Sequence, residues 1–273
     1  MLLFNYKYWH TRCIIPNESK TTLNRICKTA NDVRSDRFYI PSVCAVEKLY
    51  AQFSLEKVMS SNLHAKKATK ISLFSFNGAA MRAFHMSWLA FFVCFFAWFA
   101  CAPLMPVIAG EFHLTKDQIA NINIAAVAIT ILVRLIVGPL CDKYGPRKTY
   151  TALLVLGSIP VFGVASANSY ESFLFFRLLI GAIGASFVIT QYHTSIMFAP
   201  NVVGTANAAT AGWGNAGGGA TQVLMPLMLG ALVMFGVEQA MGWRIALIVP
   251  GVLMLIVGLM YWKFTQDCPQ GNF

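Results

Sequence analysis

Charge is what this chain has least of. Only 12% of its 273 residues are Asp, Glu, Lys or Arg, and acidic residues number 11 against 21 basic ones. With 57% hydrophobic residues, that scarcity excludes an ordinary soluble domain of this length and leaves a multi-span membrane protein. The seven cysteines form no CxxC pair and no Cys/His cluster at metal-ligand spacing, so neither a disulfide framework nor a zinc site is expected. No nucleophile motif or phosphate-binding loop is present, which argues against an enzyme and against a bound cofactor. A net charge of +10 would point to nucleic acid in a soluble protein. Here the positive-inside rule accounts for it, because residues 1–80 hold 12 Lys+Arg against 5 Asp+Glu.

Long uncharged runs are what the chain does have, and a bilayer crossing needs about 20 apolar residues at about 1.5 Å each. Six spans are predicted, over residues 86–109, 119–141, 149–170, about 172–198, about 204–236, and 245–262. Residues 178–237 carry no formal charge, and Ala199-Pro200-Asn201 divides them, since a residue before proline is pushed out of the helical region. The loop 142–148 holds Lys143, Arg147 and Lys148, and Lys263 closes the last span. Loops on the other side hold Glu111, Lys116 and Asp117, then Glu171, then Glu238 and Arg244. Both termini are therefore expected in the cytoplasm.

The predicted organisation is all-α: a basic, disordered segment 1–80, a six-helix membrane body 81–265, and the start of a cytoplasmic loop at 266–273. Residues 1–58 are too charged for a signal peptide. They read either as upstream sequence translated from a misplaced start before Met59, or as a disordered basic tail.

One charge sits where it should not. Arg134 interrupts the second span, and an uncompensated guanidinium at that depth costs a few kcal/mol or more. A structural arginine would pair with a carboxylate on another span. Every acidic residue from Glu111 onward instead falls in a loop or at a helix end. A planar fork of five donors without a protein counter-ion suits a planar oxyanion arriving from water.

The same helix runs into Gly138, Asp142, Gly145 and Arg147 at the spacing GxxxDxxGxR. Glycines there permit a tight turn, and the two charges can bond neighbouring helix ends. This pattern resembles the cytoplasmic signature of the major facilitator superfamily, which implies two rocking six-helix halves with these four residues as a gating motif.

A second signal lies in the fifth span, where residues 211–222 read Ala-Gly-Trp-Gly-Asn-Ala-Gly-Gly-Gly-Ala-Thr-Gln. Five glycines in eight residues exceed what helix packing requires, and each weakens a helix by up to about 1 kcal/mol. Asn215 offers a donor and an acceptor on that surface. The stretch resembles the glycine-rich signature of the nitrate/nitrite transporter family, and the similarity extends from about Ser72 to Asn272. It takes in Met81-Arg82-Ala83-Phe84-His85, Gln191-Tyr192 and Gln266-Asp267. The resemblance implies a substrate site of Arg134, Asn215 and Tyr192, with Gly214 and Gly218 giving close approach, and nitrate or nitrite as the anion carried.

Members of that family have twelve spans and a second arginine donated by the C-terminal half. The resemblance therefore implies that this chain carries half a substrate site and that its partners are the lipid bilayer, the anion and a missing or separate C-terminal half. A truncated gene, a split gene and a fragment are all consistent with it. The location it implies is the plasma membrane, or the inner membrane of a bacterium. His193 is the single membrane-embedded histidine weighed as a proton relay, against the plainer role of a hydrogen-bonding spacer. The residues lean toward exchange of nitrate for nitrite over proton symport. A facilitator for another small anion, such as formate or a short organic acid, and a non-transporting membrane fragment are the alternatives.

Overall fold

A computed structural model describes residues 67–272, and the segments read above as tail or upstream sequence, 1–66, lie outside the described residues. The described residues are helical, with six stretches long and apolar enough to cross a membrane. Span one is α1 (Ala79–Phe99), followed by a short α2 (Met105–Glu111). Span two is α3 (Lys116–Tyr144) and span three is α4 (Pro146–Ala165). Span four is α5 (Tyr170–Ile180), a 3₁₀ segment (Gly181–Ala185) and α6 (Ser186–Met197). Spans five and six are α7 (Val203–Met234) and α8 (Gln239–Phe264).

Six spans are thus where the uncharged runs put them, but the first differs from its expected bounds. A single helix over 86–109 is replaced by α1, which starts seven residues earlier and stops at Phe99. Pro103 and Pro106 explain the stop, because proline removes a helical donor and its ring clashes with the preceding turn. The early start is possible because Arg82 and His85 lie in the first two turns. Elsewhere the caps set the ends. Thr115 and Gln118 form a reciprocal capping box that begins span two at Lys116, and Ser169 with Ser172 does the same for span four.

Span one is the centre of the bundle. It packs against α7, α8, and the α6 helix and 3₁₀ segment of span four, while α8 also lies along α4. The buried core accordingly draws on every span, with Phe91, Cys94, Ile122, Tyr150, Leu154, Ile189, Met225, Trp243 and Tyr261 all within 1% of full burial. Spans two and five are covered least: 22% and 17% of their apolar windows are buried, against 61% for span one. Their uncovered faces carry Ile124, Val127, Ile131 and Leu135 on span two, and Trp213, Val223 and Leu227 on span five.

Residues 68–78 lie against the body. Ala68 makes a parallel bridge with Phe198, Asn201 donates its side-chain amide to Thr69 O at 3.1 Å, and the Phe76 ring stacks on His85 at 4.3 Å. At the opposite end of the bundle Glu111, between spans one and two, pairs with Arg244 of span six at 2.7 Å and accepts the indole N–H of Trp243 at 2.6 Å.

Candidate anion site and gate

Arg134 projects from an exposed position of span two. Its Nη2 donates to the carbonyl of Gly184 at 3.3 Å, and its guanidinium lies 5.9 Å from the Phe187 ring centroid. Both neighbours are neutral. Among the described residues no carboxylate pairs with Arg134, and its guanidinium is met by a carbonyl dipole and a ring face.

The carbonyl that receives Arg134 is available because span four is broken. In the Gly181–Ala185 segment the helix tightens to 3₁₀, and Gly181 O accepts from Thr130 Oγ1 at 2.6 Å while Gly184 O accepts from Arg134. Close packing forces glycine at both positions. A Cβ on Gly181 would stand 2.5 Å from Ala126 O, and one on Gly184 would stand 2.8 Å from the Trp98 ring.

From Arg134 a line of aromatic contacts leads to the glycine helix. Phe187 sits 5.7 Å from Phe91, and the Phe91 ring fills the space that a side chain on Gly214 would need. One turn on, a Cβ on Gly217 would run into the backbone carbonyl of Phe92. Gly218 is looser, with Phe99 at 3.3 Å, while Gly212 and Gly219 meet nothing. The glycine run therefore serves two faces: Gly214 and Gly217 let span five close on span one, and Gly212, Asn215 and Gly219 point away from it. Asn215 is exposed, and no hydrogen bond joins it to Arg134 among the described residues.

Tyr192 reaches the last turn of span two. Its hydroxyl donates to Asp142 Oδ1 at 3.1 Å, tying span four to the last turn of span two. The rest of the GxxxDxxGxR stretch is assembled around Gly145, whose φ of +87° ends span two, with Pro146 in the first turn of span three. Gly138 lies inside span two, one turn before Asp142. The Arg147 backbone N–H donates to Asp267 Oδ1 at 2.9 Å, its Nε donates to Trp262 O at 2.8 Å, and its guanidinium stacks 4.3 Å over the Trp262 ring. Asp142 and Arg147 thus fasten the turn to spans four and six respectively.

His193 is fully buried and committed on both sides. Its Nε2 donates to the carbonyl of Gln266 at 2.8 Å, and its Nδ1 shares a hydrogen bond with the Tyr261 hydroxyl, which in turn bonds Ser87. That geometry braces span four against span six.

Arg177, which the sequence reading passes over, lies inside the predicted fourth span, about 172–198. It is 4% exposed, donates from Nη1 to Trp98 O at 2.9 Å, and has no carboxylate partner among the described residues. The readable signal is a formal charge one turn before Gly181, inside a span whose single acid, Glu171, lies in its first turn.

Residues 87–271 match the Major Facilitator Superfamily. The high affinity nitrate transporter 2.5 of Arabidopsis thaliana is 41% identical over 207 residues, which cover 76% of this chain and 41% of that protein. The nitrate/nitrite transporter NrtP of Nostoc punctiforme is 36% identical over 200 residues, 73% of this chain and 40% of that one. The chain spans about two-fifths of the length of these curated relatives. Among solved structures, a bacterial homolog of the human lysosomal transporter Spinster, inward-facing and unoccupied, superposes with a TM-score of 0.63 at 15% identity, covering 72% of this chain and 45% of that one. That likeness carries the fold.

Proposed function

The chain belongs to the major facilitator superfamily, and we propose on that premise that it is the N-terminal six-helix half of a carrier that moves nitrate or nitrite across the plasma membrane by alternating access, with both its termini in the cytoplasm. The observation that carries this reading is the uncompensated Arg134. A guanidinium left open on a membrane helix, fixed by a neutral carbonyl and facing no carboxylate, is arranged to hold an anion. The relatives named for nitrate and nitrite supply the substrate class.

The uncovered faces of spans two and five support a second six-helix body as partner. Lipid would suit Ile131 and Leu135 but not Arg134 between them, so this face requires a protein or water neighbour. An anion also needs donors on more than one side to offset its dehydration. Asn215, exposed on the glycine helix, is the proposed polar contact from span five. The Asp142 and Arg147 contacts are the bonds that must break when the halves rock.

Exchange of nitrate for nitrite is the favoured mode. Both nitrogens of His193 are engaged with neutral partners, and no acidic side chain lies in the interior of a span among the described residues. Nitrate and nitrite uptake into vesicles containing the chain and a matching C-terminal half, with and without a pH gradient, tests both points. Uptake that needs internal nitrite and ignores the gradient is the expected result. Uptake driven by the gradient alone would replace exchange with proton symport, and no uptake of either anion would remove the function.

A further inference from the structure

Three residues of span two, Ala126, Thr130 and Arg134, follow one another at intervals of four and so occupy one helical face. Each is tied across the bundle. Ala126 O accepts the indole N–H of Trp98 at 2.7 Å, Thr130 Oγ1 donates to Gly181 O at 2.6 Å, and Arg134 Nη2 donates to Gly184 O at 3.3 Å. Ala126 and Thr130 are buried and Arg134 is exposed, so the stripe leaves the packed interior at the arginine.

We propose that Thr130 is a positioning residue for Arg134: by locking span two onto the 3₁₀ segment one turn earlier, it sets the height and rotation at which the guanidinium meets Gly184 O. Arg134 alone cannot do this. Its four-torsion side chain reaches the carbonyl at 3.3 Å from an exposed position, whereas the Thr130 hydroxyl is buried, short and 2.6 Å from its acceptor. The 3₁₀ segment presents Gly181 O and Gly184 O three residues apart, while span two presents Thr130 and Arg134 four apart. Only one axial register satisfies both bonds, and a slide of span two against span four would release Arg134 together with Thr130. Thr130 also lies against Gly184 itself, where a Cβ would stand 2.9 Å from its methyl carbon and 3.0 Å from its hydroxyl. The consequence for an anion rests on the carrier reading; the placement of the guanidinium does not.

Site-resolved labelling with phenylglyoxal, applied to the full chain in lipid nanodiscs and read by peptide mass spectrometry, separates the two. Thr130→Val removes the hydroxyl and keeps the shape, and labelling of Arg134 should accelerate about fivefold, the equivalent of one hydrogen bond. Thr130→Ser keeps the donor and should label at the wild-type rate, and Arg82 and Arg147 should be unaffected in both. An unchanged or slower Arg134 rate in the valine variant overturns the proposal, as does equal acceleration in the serine variant. Acceleration at all three arginines alike would mean general loosening and overturns it too. Protection of wild-type Arg134 by added nitrate is a separate reading: its absence counts against the anion function and leaves the comparison of rates decisive for positioning.

Discussion

Tyr192 and Asp142, fifty residues apart, meet through a 3.1 Å hydrogen bond in which the phenol donates to the carboxylate. The resemblance to nitrate carriers implies a place for Tyr192 at the anion; from the bond to Asp142 we propose a role for it in the gate. Removing the hydroxyl should therefore alter how fast the halves rock rather than how tightly the anion is held. A hydrogen bond to a charged acceptor contributes about 1.5–3 kcal/mol, so Tyr192→Phe should shift the balance between the two access states by about tenfold or more. In uptake by the assembled carrier the maximal rate should change while the half-saturating nitrate concentration stays within about twofold, since no anion contact has been lost. A large rise in that concentration with an unchanged maximal rate would return Tyr192 to the substrate site.

The glycine helix allows a graded comparison. A methyl group on Gly217 meets the Phe92 carbonyl, a backbone atom that cannot rotate away, so Gly217→Ala should cost about 1–3 kcal/mol, as overpacking does. Gly219 faces open space, and Gly219→Ala should instead raise helix stability by about 0.5–1 kcal/mol. Thermal unfolding of the two variants in the same detergent checks the order. Equal stabilities would mean that span five does not close on span one as described.

Much of this was readable beforehand, for identifiable reasons. The six spans were legible because the cost of a charge in lipid writes itself into composition, and Arg134 stood out by the same rule. Span ends were less so, because caps such as Thr115 with Gln118 depend on local hydrogen bonds rather than hydropathy. The 3₁₀ break was hidden. Gly181 and Gly184 look like ordinary packing residues until Ala126 O and Trp98 are seen against them. The glycine run was legible as a run, but which glycines are indispensable depends on which face meets span one. Gly217, unremarked in the sequence, proved tighter than Gly218.

The charge at position 134 is not by itself the proposed ligand; the fork is. Arg134→Lys keeps the charge but replaces five donors in a plane with a compact ammonium on a flexible stem. Nitrate affinity should fall at least about tenfold, the loss of one charge-assisted bond of a bidentate pair. Equilibrium binding of nitrate to the purified variant, with expression level as control, is the measurement. Wild-type affinity with reduced expression would identify a structural arginine.

The opposite end of the bundle has its own acid dependence. Burial pushes the Glu111 carboxyl up, but hydrogen bonds from Arg244 and Trp243 together with the Arg244 charge outweigh it and hold the group below the ordinary carboxylate value. A carboxyl depressed by folding binds protons more readily when unfolded, so its contribution is fully present at neutral pH and is lost as pH falls through the folded value. Stability should therefore hold from neutrality to mildly acid conditions, begin to decline in the normal titration range of Glu, and go on declining to the lower folded value. Glu111→Gln keeps an acceptor for the Trp243 indole but loses the ion pair. It should lower stability at pH 7 by about 1 kcal/mol, a figure between exposed and buried pairs that suits side chains 24% and 16% exposed. The variant should also flatten the acid limb, because the group whose protonation drives it is gone. Unfolding temperatures from pH 7 down to about pH 3 would measure both effects. Parallel acid limbs in the wild type and Glu111→Gln would show that Glu111 does not set the acid sensitivity.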